Sequence, residues 1–216
     1  MKPFKLISTL LTLISLFSCK PQVTLTFSEP QPTATDNLLE FPKHLQGQYY
    51  SLEDSSSLLI SDKIIQKIYD FDLRIHPSEL DSFSYLSGDT IIDSKTNKKS
   101  LVKRDGDSLI THYHFIDTLF QINYDNVIRK LKGDYFLNTR HDKSSWVVQK
   151  MQLSKGHLVI SGISTEKDID NLNEIVEVPI DTVRPYKTTL TQKDFKEFVK
   201  KGGFSDSETF VRQNER

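Results

Sequence analysis

The sharpest pairing of chemically able side chains in this 216-residue chain is His112-Tyr113-His114. In an extended strand alternate side chains share a face, so the two imidazoles stand about 7 Å apart at Cα, close enough to share a metal ion. No third ligand follows at a motif spacing. His44, His76, His141, His157 and many carboxylates are merely available. In the plainer reading Ile110, His112, His114 and Ile116 form the less buried face of a strand whose Leu109, Tyr113 and Phe115 turn to a core. In the sharper one, His112 and His114 are metal ligands of a metal-dependent hydrolase.

Carboxylates recur at alternate positions: Asp70 with Asp72, Glu79 with Asp81, Asp105 with Asp107, Asp168 with Asp170. A working acid/base pair needs surroundings that drive two pKa values apart, and turn or cap roles already account for Asp105 and Asp168. The run from Asp168 to Asn171 starts like a calcium loop, but Asn173 stands where that loop needs glycine. The chain contains no Gly-x-Ser-x-Gly elbow, and Lys201-Gly202-Gly203 ends a helix where a phosphate site would begin one. With 28 basic against 29 acidic residues, a net charge of −1 leaves no electrostatic footprint for nucleic acid. These residues assign no catalytic group and no cofactor site.

The elements that must position these side chains are mostly strands, short β-branched and aromatic runs separated by turn residues. Runs are read at 48–52, 58–61, 64–71, 90–93, 100–103, 109–116, 119–122, 134–137, 146–153 and 157–163. Asp105-Gly106 and Ser154-Lys155-Gly156 mark hairpins, and tight turns make successive strands antiparallel. Thr165 caps a predicted helix over 166–176 and Thr191 one over 192–201, while 206–213 is read as a short last helix. His76-Pro77-Ser78-Glu79 is a polar insertion with proline suited to a first helical turn. The expected fold is mainly β with flanking helices (α+β), an antiparallel meander forming a curled sheet or partly open barrel, with helices toward the C-terminus.

Leu45-x-Gly47-x-Tyr49, Leu86-x-Gly88-x-Thr90 and Leu131-x-Gly133-x-Tyr135 recur at intervals of roughly forty residues, suggesting three supersecondary units. The Gly-x-aromatic opening is similar to that of the first strand in lipocalin-like barrels, although those carry tryptophan. That resemblance implies a curled sheet around an apolar pocket for a lipid or other small hydrophobic ligand.

The first eighteen residues read as a secretory signal, with Lys2 and Lys5 ahead of an apolar stretch from Leu6 to Phe17 that is too short to span a bilayer. Leu16-Phe17-Ser18-Cys19 resembles the lipobox of bacterial lipoproteins, with Phe17 bulkier than usual for its position. The resemblance implies cleavage before Cys19 and a covalent lipid on its thiol. Two or three acyl chains make such anchoring effectively permanent. Cys19 is the only cysteine, so no disulfide can form within the chain. Lys20, rather than aspartate, follows it, which favours the outer membrane over the inner. The composition, heavy in Lys, Asn, Ile and Ser with Ala34 as the single alanine, resembles that of envelope lipoproteins of the Bacteroidota type.

The expected organisation is a signal peptide over 1–18, a lipidated cysteine and Pro/Thr-rich tether over 19–43, and one β-rich domain over 44–216. Pro21, Pro30, Pro32 and Pro42 favour an extended tether, with Val23 to Phe27 alternating like an edge strand that could instead dock on the body. The expected function is that of a membrane-anchored envelope lipoprotein, a non-enzymatic interaction or structural module for an envelope partner. A lipocalin-like carrier and a hydrolase using His112 and His114 are the alternatives.

Overall fold

Alternating apolar side chains build the body from strands, as a computed structural model that describes residues 25–176 and 185–213 makes plain. Cys19, the signal-like stretch and the first part of the expected tether lie outside the described residues. The strands are β1 (Leu25–Phe27), β2 (Gly47–Ser51), β3 (Ser57–Ile60), β4 (Ile64–Ile75), β5 (Ser84–Ser87), β6 (Thr90–Asp93), β7 (Lys99–Leu101) and β8 (Lys103–Asp105). They continue with β9 (Ser108–Gln121), β10 (Asn126–Leu131), β11 (Asp134–Asp142), β12 (Ser145–Ser154), β13 (His157–Gly162), β14 (Tyr186–Thr188) and β15 (Asp206–Arg212). Two helices, α1 (Glu166–Asn173) and α2 (Gln192–Lys200), complete the set, matching the mainly β reading with flanking helices.

The main sheet runs β10-β11-β12-β13-β15-β2-β3-β4-β9-β8, antiparallel throughout, with β1 and β14 attached beside β12; β5, β6 and β7 form a separate small sheet. The long path curls without closing. Across the gap, Leu38 bridges Ile128 of β10 while the Phe41 N–H donates to the Asp62 carbonyl in the β3–β4 turn. The concave side is filled at one end by Tyr49, Leu58, Ile60, Ile65, Phe120, Tyr135, Met151, Leu158 and Phe210, with Phe41 and Leu45 inserted as a plug. Each such side chain contributes about 1.5–3 kcal/mol on burial.

A second core lies on the convex side of β11 and β12. There Phe136 and Val148 meet Leu25 and Phe27 of β1, Ile169 and Leu172 of α1, and Phe195 and Phe198 of α2. The ring centroids of Phe136 and Phe195 stand 4.9 Å apart, edge to face. Both helices begin with the expected threonine cap and reciprocal aspartate, Thr165 with Asp168 and Thr191 with Asp194. α2 ends in a reversal in which the Gly203 N–H donates to the Phe198 carbonyl. Gly203 lies against the Phe198 ring, where an added Cβ would come within 2.4 Å of ring carbon.

Several expectations are corrected. The stretch 25–43 is not an extended tether: Leu25–Phe27 is a buried strand, and Gln31 and Phe41 are fully buried. Prolines remove N–H donors but leave carbonyls needing partners. Arg129 Nη1 donates to the carbonyls of Pro30 (2.6 Å) and Pro32 (3.0 Å), and Asn138 exchanges two hydrogen bonds with the Gln31 backbone (2.6 and 2.8 Å). The last segment, 206–213, is a strand, because pairing with both β13 and β2 overrides its local helical pattern. Positions 109–116 and 119–121 belong to one strand, β9, with a register shift opposite Ile65/Gln66, and Ile122 lies just past its end. The hairpin at Asp105 turns on Gly106 and Asp107, with positive φ at Gly106 alone, the pattern of a type II′ turn. The repeat does not mark three like units: Gly47 opens β2, whereas Gly88 and Gly133 lie in hairpin turns.

The Asn138 clamp generates a prediction. Replacing Asn138 with alanine strands the buried N–H and carbonyl of Gln31, so unfolding free energy should fall by about 2–4 kcal/mol. Urea denaturation reads it; a loss under about 0.5 kcal/mol, within the range of ordinary surface substitutions, would mean that the segment is held by other contacts.

Candidate functional site

Period-two alternation along β4 carries one face of the strand through three environments. Ile65 is in the filled core, Lys67 stands above it, and Tyr69, Phe71 and Leu73 follow on the same side. β3 pairs with β4 only as far as Ile68, and beyond that point β4 is paired with β9 alone. An arm of β4 and β9 therefore leaves the body, about 20 Å long from Tyr69 to Ile75 at 3.3 Å per residue, and β8 joins it at the far end by pairing with β9 from Ser108 to Ile110. The small sheet of β5, β6 and β7 lies in the connection at its far end, following a 3-10 turn at Pro77–Glu79 that His76 caps.

The two faces of the arm differ in kind. On one, Tyr69 pairs with Phe115, Phe71 with Tyr113 and Leu73 with Thr111, the two aromatic pairs having centroid separations of 6.2 and 5.2 Å. This face is half-open to solvent: Phe71 is 45%, Leu73 41%, Tyr113 39% and Phe115 48% exposed. On the other, Asp70 pairs with His114, Asp72 with His112 and Arg74 with Ile110. His112 lies between two carboxylates, Nε2 3.3 Å from Asp70 Oδ1 and Nδ1 3.2 Å from Asp72 Oδ1, and His114 Nδ1 is 3.1 Å from Asp70 Oδ2.

Where the arm leaves the body, the concave side opens into a cavity of about 620 Å³. Its apolar wall includes Leu119, Leu137 and Ile160, with Leu25 also lining it; Lys67, Glu53, Asp206 and Glu208 supply its charge. Lys67 Nζ contacts Glu208 Oε1 at 2.6 Å and Asp54 Oδ2 at 2.9 Å, and lies 5.5 Å and 5.7 Å from the ring centres of Tyr69 and Phe210. Ser51 donates to Glu208, and Ser56 to Asp54. Burial alone would lower the Lys67 pKa, but hydrogen bonds to Glu208 and Asp54 outweigh it and hold the amine above the usual lysine range. Burial alone would raise Asp54, but hydrogen bonds from Ser56, Lys67 and Ser51 outweigh it and hold the carboxyl well below its usual range.

His112 and His114 do share a face, as their spacing predicts; of the residues read as turned to a core, Leu109 is buried, whereas Tyr113 and Phe115 stand half-exposed on the aromatic side of the arm. No third histidine joins them. His44 stacks on Tyr135 with centroids 5.9 Å apart, His76 caps its turn, and His157 contacts the Lys155 carbonyl. Among the described residues no group of three or more His, Cys, Asp or Glu is arranged to hold a metal ion. The other carboxylate pairs separate into local tasks: Asp105 pairs with Arg74, Glu79 closes the His76 cap, Asp81 accepts from the Phe83 N–H, and Asp168 is the buried partner of Thr165. Lys67, Glu208 and Asp54 escape the sequence reading. A lysine between Ile65 and Tyr69 on one strand face was the available signal, whereas Glu208 fell in the segment read as helix.

The chain matches no family model, no curated protein and no solved structure.

Two predictions follow from the charges. A depressed Asp54 stabilises the fold above its unfolded pKa of about 4 and loses that contribution as pH falls through the folded value; a raised Lys67 stabilises below about 10.4 and loses it as pH rises through its own. Asp54→Asn should flatten the fall in melting temperature between about pH 5 and about pH 2, and an unchanged slope would detach Asp54 from acid stability. The arm histidines should behave oppositely. Replacing His112 and His114 together by alanine should change unfolding free energy by less than about 1 kcal/mol, because both side chains are exposed and surface substitutions alter stability little.

Proposed function

We propose that this protein is a lipoprotein of the bacterial cell envelope, cleaved before Cys19, acylated there and held at the outer membrane, where it acts by binding rather than by catalysis. The observation that carries the binding reading is the aromatic face of the arm, continuous with the open cavity. Phe71, Leu73, Tyr113 and Phe115 form a half-exposed apolar row beyond Tyr69, and such patches mark sites of interaction. The lipobox-like Leu16-Phe17-Ser18-Cys19 supports the anchor. Against a hydrolase weighs the open surface on which His112 and His114 stand, with half or more of each side chain exposed, where a reaction site is ordinarily concave.

A carrier of a small hydrophobic ligand is the second reading, favoured by the apolar wall of the 620 Å³ cavity. The filled lower half of the concave side limits that ligand to the open upper part.

Native mass spectrometry of protein extracted from its own membranes in mild detergent tests both. The expected species lacks residues 1–18 and carries two or three acyl chains on Cys19, and Cys19→Ser should move the protein from the membrane to the soluble fraction. A full-length, unacylated mass would remove the anchor. A lipid retained without covalent attachment by the Cys19→Ser protein would favour the carrier.

A further inference from the structure

The cavity beside Lys67 has a charge pattern that selects among the ligands its size admits. A volume of about 620 Å³ suits a small organic molecule, and Leu119, Leu137 and Ile160 give it an apolar wall. Its charge is unbalanced. Glu53, Asp206 and Glu208 line it together with a single cation, Lys67, whose amine is already held by Glu208 and by Asp54. Four acidic residues against one lysine leave a formal excess of three negative charges. Acceptor oxygens remain open. Lys67 and Ser51 both donate to Glu208 Oε1, and Ser164 donates to Asp206 Oδ2; Glu208 Oε2, Asp206 Oδ1 and the Glu53 carboxylate have no hydrogen-bond partner among the described residues. Asp206 and Glu208 alternate along β15 and so share a face, opposite Gly162 and Ile160 of β13. A Cβ added at Gly162 would meet nothing within 4 Å, so the position opposite Asp206 is open space.

We propose that this cavity binds an amphiphile with a cationic amine head, its chain against Leu119, Leu137 and Ile160 and its ammonium among Glu53, Asp206 and Glu208. The proposal deepens the carrier reading, on which it rests, by assigning the ligand's charge. An anionic head, whether carboxylate or phosphate, meets the acidic excess and reaches Lys67 only by displacing Glu208 or Asp54. Displacement leaves a carboxylate without its counter-charge. A hydroxyl head donates to the same oxygens but carries no charge to offset their excess. An ammonium does both, since a hydrogen bond between charged partners adds Coulomb attraction to directional bonding. The apolar wall strengthens the effect, because charges beside low-dielectric surface are screened less than in water.

Calorimetric titration of full-length Cys19→Ser protein with decylammonium, decanol and decanoate, a single chain length under three head charges, tests this at neutral pH and below each micellar concentration. Decylammonium should bind saturably and at least about tenfold more tightly than decanol, with decanoate weakest. Exchanging Glu53→Gln and Asp206→Asn together leaves the Lys67 contacts in place and should bring amine and alcohol to within about threefold of each other. Gly162→Leu fills the space opposite Asp206 and should weaken binding of the amine. Leu119→Trp, at a half-exposed position of the wall, makes the same test should Gly162→Leu fail to fold. Decanol or decanoate binding as tightly as decylammonium would overturn the charge selection and leave the carrier reading standing, as would an undiminished preference for the amine in the Glu53→Gln, Asp206→Asn protein. Decylammonium binding that neither Gly162→Leu nor Leu119→Trp weakens would put the ligand outside the cavity and overturn the proposal. No saturable binding of any of the three would overturn the carrier and this proposal together.

Discussion

A strand can present only two faces, and the whole molecule follows from where β4 sends them. One face begins in the packed core at Ile65, crosses the charged floor of the cavity at Lys67, and ends as open aromatic surface beyond Tyr69. Because the pleat cannot slip by one residue without exchanging the two faces, the same register that buries Ile65 also puts the histidines and aspartates on the far side of the arm. Core, cavity and arm are thus one decision about register, enforced by twelve cross-strand pairs between β4 and β9.

The charged floor has a structural logic of its own. Lys67 has an aliphatic stem that packs beside Leu58 and an amine that must find partners once its residue is nearly closed to solvent. Two carboxylates supply them, one from the loop after β2 and one from β15, so the contact ties together segments far apart in the chain. An apolar residue here would extend the filled core upward and shorten the cavity; the lysine ends the core where the open space begins.

Much of the fold was legible because its signals are local. Thr165 and Thr191 announce their helices through capping geometry, and the Ser154-Lys155-Gly156 turn lies between two strands whose apolar alternation is plain. What failed was non-local. The proline-rich stretch reads as free chain until Arg129 and Asn138, roughly a hundred residues away, gather its carbonyls. Asp72 and Arg74 hid the second half of β4 because a strand with one solvent-facing ionic side loses its hydrophobic run, while the apolar side at Phe71 and Leu73 continued to alternate. The candidate site was half visible: the shared face of His112 and His114 follows from spacing alone, but the Lys67 network needs strands that only the folded sheet brings together.

β15 lies at the centre of the sheet although it is the last of the described strands in sequence, joined on one side to β13 and on the other to β2, with Phe210 opposite Ser51. Among the described residues the β2-β3-β4-β9 half and the β10–β13 half are joined along the sheet path only through β15. Pairing across such sequence distances is slow, since loop closure precedes any gain from contact. The sheet is joined into one ladder by a single seven-residue strand, so a break along β15 would uncouple two halves that each keep their own hairpins.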